Sequence, residues 1–246
     1  MRLDRFLETR LSCSARTVRY LFAGRRIRLN GVAVASGHQQ ISKFCHVEAQ
    51  GMVLQSGTPV YLMMHKPRDC VSATSDSRNI TVLDLIELPE KAQLHLAGRL
   101  DFNTTGLLLL TNDGNWSRSV TLPQQKIPKT YRVRTRDAIT VEYVEQFAAG
   151  IYFRFENLVT QPAELKLLSA TTAELTIHEG RYHQIKRMFG FFGNPVTDLH
   201  RMSIGSLVLD EDLAPGEYRH LSPAELASQP GQQGGAAQLL RRGAGP

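Results

Sequence analysis

The turn formers between residues 50 and 59 constrain this chain more than any other feature. Gln50-Gly51-Met52 and Gln55-Ser56-Gly57-Thr58-Pro59 lie between apolar strands, and a single core does not run through such a break. The reading is therefore a domain over residues 1–58, a larger one over 59–228, and a Gln-, Gly-, Ala- and Pro-rich segment over 229–246 whose composition predicts a disordered tail. With 246 residues and 42% apolar side chains there is enough material for a substantial core. No run of eighteen apolar residues occurs, so no spanning helix and no membrane role are expected.

Charge follows the same division. Residues 1–50 hold nine Lys/Arg against three acids, and the other 196 residues hold 20 of each, so the whole excess of +6 sits at the N-terminal end. Charge that localised suggests a small module for a polyanion on a neutral body. Asp4 and Glu8 interrupt the stretch where a secretory signal needs an apolar run, and Cys13, Cys45 and Cys70 have no metal-ligand spacing. Three free thiols in a reducing, cytoplasmic setting are expected.

In the first domain Leu3, Phe6, Leu7 and Leu11 fall at helical spacing. Ser12 and Ser14 offer N-cap oxygens to a second helix with Val18, Leu21 and Phe22 on its apolar face and Arg16 and Arg19 exposed. Gly24 stands where a left-handed C-cap belongs. Arg25-Arg26-Ile27-Arg28-Leu29 alternates like a strand, and Asn30-Gly31 is suited to a type I′ hairpin turn before Val32-Ala33-Val34. Two helices and a hairpin result, with guanidinium groups along one face that can fork onto phosphates.

In the second domain Val60–Met64 reads as a buried strand ended by Lys66-Pro67. A polar stretch, 72–81, and a short helix over 82–86 follow. Residues 130–135 and 174–178 alternate like strands, while 141–149 and 182–192 read as helices. Without a regular strand–helix–strand rhythm, this mixture predicts an α+β fold, its sheet mixed and mainly antiparallel with flanking helices.

Three segments can carry chemistry. The loop Gly98-Arg99-Leu100-Asp101-Phe102-Asn103-Thr104-Thr105-Gly106 feeds the apolar strand Leu107–Leu110, which holds Asp101 at the mouth of a rigid element; Asp101 also suits a plain turn. Glu179-Gly180-Arg181-Tyr182-His183-Gln184 leads into a helix predicted to begin near Arg181. There the guanidinium opposes the helix dipole unless an anion sits beside it, or else pairs only with Glu179. Lys129-Thr130-Tyr131 opens a strand with an aromatic, either a sheet residue or a ring on which a base stacks. No phosphate-cradling Gly-x-x-x-x-Gly-Lys-Thr is present. His178, His183 and His200 share no ligand spacing with an acid or cysteine, so no metal is expected.

Leu3-Asp4-Arg5-Phe6-Leu7, Ser14 with Arg16, Gly24-Arg25-Arg26-Ile27 and Leu29-Asn30-Gly31 resemble the RNA-binding domain named after ribosomal protein S-four. Gly98-Arg99-Leu100-Asp101 with Thr104-Thr105-Gly106, Lys129-Thr130-Tyr131, Glu179-Gly180-Arg181-Tyr182-His183-Gln184 with Lys186-Arg187-Met188, the upstream Lys66-Pro67 and the closing Leu213–Tyr218 resemble the RsuA branch of the pseudouridine synthases. Two positions depart from that pattern: Asp69 where the family commonly has glycine, and Pro128 where it often has glutamate.

The resemblance implies a cofactor-free isomerase that converts a uridine of 16S ribosomal RNA to pseudouridine, position 516 by family analogy. A sister activity on 23S RNA and a non-catalytic RNA-binding protein are the alternatives. Asp101 is then the catalytic carboxylate, as nucleophile or general base. A carboxylate shut away from water needs a cation to stay ionised, and the resemblance matches Arg181 to that role, implying an Asp101–Arg181 ion pair. Tyr131 would stack on the uracil and Ile177 would floor the pocket. Arg99, Lys129, Lys186 and Arg187, with Arg16, Arg19, Arg25, Arg26 and Arg28 of the first domain, would contact RNA. Ribosomal RNA as partner, a monomer and a cytoplasmic location complete the expectation.

Overall fold

The computed structural model describes residues 1–229; the rest of the expected tail, 230–246, lies outside them. Gln229 itself is buried and donates to the Ser206 hydroxyl, so it belongs to the packed body rather than to a tail. Compact packing separates Met1–Pro59 from a unit that begins at Val60.

In the first unit helices α1 (Leu3–Arg10) and α2 (Ala15–Ala23) precede strands β1 (Ile27–Leu29), β2 (Val32–Ala33), β3 (Val47–Ala49) and β4 (Met52–Gln55). The Ser14 side chain caps α2 by accepting from the Thr17 amide. Asn30 and Gly31 both take positive φ, 51° and 79°, the geometry a type I′ turn requires. The left-handed residue after α2 is Arg25 (φ 51°), however, and Gly24 keeps φ −79°. The hairpin also grows beyond two strands: β3 and β4 extend it to a sheet ordered β2-β1-β3-β4. Leu3, Phe6, Leu7, Val18, Leu21, Phe22, Ile27 and Val47 share one buried cluster, so the helices and sheet close on a core of their own.

The second unit is an α+β domain with a mixed sheet. Its strands are β5 (Tyr61–Lys66), β6 (His95–Leu96), β7 (Thr105–Thr111), β8 (Lys129–Thr135), β9 (Tyr152–Phe153), β10 (Leu158–Val159), β11 (Glu164–Leu167), β12 (Thr172–Ile177), β13 (Val196–Ile204), β14 (Leu207–Val208) and β15 (Tyr218–His220). Its helices are α3 (Gly114–Thr121), α4 (Val141–Ala149), α5 (Gln184–Gly190) and α6 (Pro223–Ala227). The main sheet runs β11-β12-β8-β13-β7-β5-β15, with β6 paired to β7 and β14 to β13. Only β13 and β7 are parallel among its described pairs.

The apolar run in β7 has a plain reason. Leu107 and Leu109 join the cluster containing Met63 and Trp116, whereas Leu108 and Leu110 join the cluster containing Leu62, Met64 and Val82. A strand covered on both faces has no polar side to show. No α-helix forms over 82–86; Asp84 and Ile86 amides bond back to Thr81 and Leu83 carbonyls as consecutive tight turns. Asp69 has φ +58°, a backbone state that aspartate tolerates better than most residues and glycine best. No helix among the described residues is long and apolar enough to cross a membrane.

Candidate active site

The loop between β6 and β7 is held from below by a buried lysine. Lys66, the last residue of β5, is fully buried, and its ammonium donates to the carbonyls of Pro67 (2.9 Å), Phe102 (3.1 Å) and Thr104 (3.0 Å). Two of those carbonyls follow Asp101 directly in the chain, one and three residues on. The Thr104 amide donates to the Asp101 carbonyl at 3.0 Å, and the Ser72 hydroxyl bonds both the amide and the carbonyl of Leu100. Burial pushes Lys66 down to about 8. Gly106 closes the loop at φ +105°, where a Cβ would stand 2.3 Å from the Arg201 carbonyl oxygen, so only glycine lets β7 and β13 approach.

Asp101 therefore sits on a fixed turn, its side chain 30% exposed into a cavity of about 190 Å³. Lys186 donates to its Oδ2 at 2.8 Å, and His183 Nε2 lies 3.6 Å from the same oxygen. The expected Asp101–Arg181 ion pair is not formed. Arg181 Nε donates instead to Glu179 Oε2 at 2.9 Å. Helix α5 starts at Gln184, after a left-handed His183 (φ +49°), which leaves Arg181 in the preceding loop. There it is two residues from Glu179, a carboxylate only 5% exposed that also accepts from the Gln161 amide (3.0 Å) and from Gln184 Nε2 (2.8 Å). A buried charge needs the nearest cation, and Arg181 is committed to it. Lys186, inside α5, reaches Asp101 in its place.

Tyr131, Ile177, Arg99, Lys129 and Arg181 line the same cavity. Tyr131 (7% exposed) and Ile177 (3%) form apolar wall. Lys129 Nζ donates to the Ile127 carbonyl at 2.9 Å, and burial, helped by the Arg201 charge, lowers its proton affinity. Arg187 does not join them: its guanidinium forks onto Glu156 at 2.6 Å and lies 3.7 Å over the Phe153 ring. Arg16, Arg19, Arg25, Arg26 and Arg28 are exposed on the first unit, with no carboxylate partner among the described residues. His178 contacts the Lys126 carbonyl and His200 the Thr105 hydroxyl, while His183 faces Asp101.

Sequence reasoning missed Arg201. It lies on β13 at only 3% exposure and lines the cavity beside Tyr131. The signal was present: Arg201 stands two residues from Leu199, on the side of the strand that alternation turns inward. Taken together, five cations (Arg99, Lys129, Arg181, Lys186 and Arg201) face two acids (Asp101 and Glu179) around this cavity. An ionised carboxylate with a donor cation behind it and open space in front can act as a nucleophile or as a base.

A family profile described as RNA pseudouridylate synthase matches residues 60–190, the stretch that carries Lys66, Asp101, Tyr131 and Lys186. The chain belongs to this family. A protein of Pseudomonas aeruginosa named ribosomal small subunit pseudouridine synthase A is 50% identical over 93% of this chain and 100% of its own length. The Escherichia coli K12 protein of the same name is 42% identical over 93% and 99%. A crystal structure titled pseudouridylate synthase superposes with TM-score 0.68 at 39% identity, covering 93% of this chain and 99% of the other. The enzyme is thus a pseudouridine synthase, an isomerase whose reaction detaches uracil from ribose and rejoins it through carbon.

Proposed function

We propose that this synthase isomerises a uridine of 16S ribosomal RNA, at position 516, with Asp101 as its catalytic carboxylate. The observation that carries the reading is the Asp101–Lys186 contact of 2.8 Å at an open cavity walled by Tyr131 and Ile177. Support for the small-subunit substrate comes from relatives of that name that match end to end at 42–50% identity.

The reaction breaks ribose C1′–N1, turns the uracil and forms C1′–C5. Whether Asp101 attacks C1′ or removes a proton, it works as the carboxylate, and Lys186 holds that group in place through its bond to Oδ2. Tyr131 supplies the ring face for the uracil, Ile177 the floor, and Arg99 a cation at the mouth for the flanking phosphate. The target base must leave its stack, at roughly a few kcal/mol. The arginines of the first unit offset that cost by binding neighbouring phosphates. Such contacts position RNA without reading its sequence. The protein works as a cytoplasmic monomer on ribosomal RNA.

Mapping pseudouridine in ribosomal RNA from a strain lacking the gene tests the substrate. Loss at position 516 of the 16S RNA alone is expected. A site lost from 23S RNA instead would reassign the substrate, and an unchanged map would point to the non-catalytic alternative. The first unit's role has its own test in the full-length protein. Replacing Arg16, Arg19, Arg25 and Arg26 together by glutamine should weaken RNA binding and flatten the salt dependence of log K by about 0.7–0.9 for each phosphate contact removed. An unaltered salt slope would show that this face does not touch RNA.

A further inference from the structure

Arg201 is a buried charge among the described residues with no counter-charge beside it. Its Nε donates to the Leu107 carbonyl at 2.8 Å, and its Nη1 to the Tyr131 phenol oxygen (3.4 Å) and the Arg99 carbonyl (3.5 Å). All three acceptors are neutral, and no carboxylate pairs with it among the described residues. Its Nη2 is buried and has no acceptor among the described residues. A guanidinium at 3% exposure with no counter-charge and an idle donor is expensive to keep, unless something that enters the site supplies what is missing.

The missing acceptor must reach the floor of the cavity. A ribose phosphate stays with the RNA backbone at the mouth, whereas the base of a flipped nucleotide lies against Tyr131, the residue Arg201 already holds. The chemistry also asks for a cation there. When C1′–N1 breaks, the bonding pair leaves with N1 and spreads over N1, O2 and O4 of the uracil. The pair that then forms C1′–C5 comes from the ring, C5 gives up its proton, and N1 gains one, so the reaction balances with no other reactant. Between the two bond events the uracil carries negative charge.

We propose that the guanidinium of Arg201, which lines the cavity, contacts the uracil at O2 or O4 and stabilises the negative charge that builds there as the glycosidic bond breaks. Its Nη1 bond to Tyr131 fixes the aromatic face at the same time, so one side chain sets both the stacking surface and the charge acceptor. This rests on the reading that the cavity receives the target uridine. A preorganised donor aimed at developing charge normally contributes about 100- to 1,000-fold in rate.

The test pairs Arg201→Gln and Arg201→Lys with three RNAs: unmodified small-subunit RNA, and the same RNA with the target uridine replaced by 2-thiouridine or 4-thiouridine. Arg201→Gln should slow single-turnover isomerisation of the unmodified RNA by about 100-fold or more, with RNA Kd changed less than about twofold. One of the two sulfur substitutions, which weaken the acceptor, should slow the wild type. That sulfur penalty should shrink towards one in Arg201→Gln and be partly kept in Arg201→Lys. Equal sulfur penalties in wild type and Arg201→Gln would overturn the proposal, as would a defect confined to Kd, which would indicate a phosphate contact. If circular dichroism shows that neither variant folds, the wild type decides alone: two sulfur-substituted RNAs turned over as fast as the unmodified one would end the assignment. No wild-type turnover of unmodified RNA would instead fault the substrate reading on which the proposal stands.

Discussion

Asp101→Asn is expected to lower isomerisation by about a thousandfold or more, the scale on which loss of a nucleophile or general base is felt, while RNA affinity stays within about a factor of two. The reason for the split lies in the geometry. Asp101 is placed by its backbone: its carbonyl accepts from the Thr104 amide, and the neighbouring carbonyls are held by Lys66. An amide of the same shape keeps that turn and leaves the basic faces untouched, but it cannot attack C1′ or take a proton. Release of tritium from 5-tritiated uridine in RNA, measured beside a filter-binding isotherm, checks both halves. Turnover above about one part in a thousand of the wild type would move the catalytic role to another residue. A large loss of affinity would mean that the carboxylate serves binding.

The second large effect is expected at Lys66. Lys66→Met leaves the carbonyls of Pro67, Phe102 and Thr104 without their donor, at roughly 1–3 kcal/mol for each buried group. Against this, removing the buried charge recovers roughly 3 kcal/mol, the value of lowering an ammonium from 10.5 to about 8. The stranded carbonyls outweigh the recovered charge, so Tm falls. Because Phe102 and Thr104 lie one and three residues after Asp101 in the same turn, the carboxylate shifts too, and a displacement near 1 Å is worth about 100-fold in rate. A variant that keeps wild-type kcat and Tm would show that the clamp is not needed.

Raising the pH tests the same clamp without mutation. Above about 8 the neutral amine has two N–H groups for three carbonyls, so kcat should fall through that range. Stability moves the other way. Between about 8 and 10.5 the unfolded chain binds a proton that the folded chain has released, so the contribution of Lys66 to folding rises with pH. A kcat that stays flat to pH 9.5, or that falls only together with Tm, would contradict this account.

Local chemistry made much of the fold legible. The Asn30-Gly31 turn, the Ser14 cap and the apolar β7 each follow from residues within a few positions of one another. Errors arose where side-chain pairing, which periodicity does not encode, chose the partners. The helix read from Tyr182 begins at Gln184, because the Gln184 side chain turns back to Glu179 and to the Arg181 amide. That single change moves Arg181 off the helix and onto Glu179. Lys186, read only as an RNA contact, becomes the partner of Asp101.

By itself, the amino-acid order determined the basic N-terminal segment, the α+β class and the segments from which the cavity is built. Those properties depend on periodicity, turn chemistry and net charge, which act along the chain. The tertiary structure decided which cation faces which acid, that a lysine 35 positions upstream clamps the Asp101 loop, and that Arg201 lies beneath Tyr131 with a donor to spare. Ion pairing and burial are settled by distance in space. Several arginines and lysines within reach of two acids are interchangeable on paper, and only packing chooses among them.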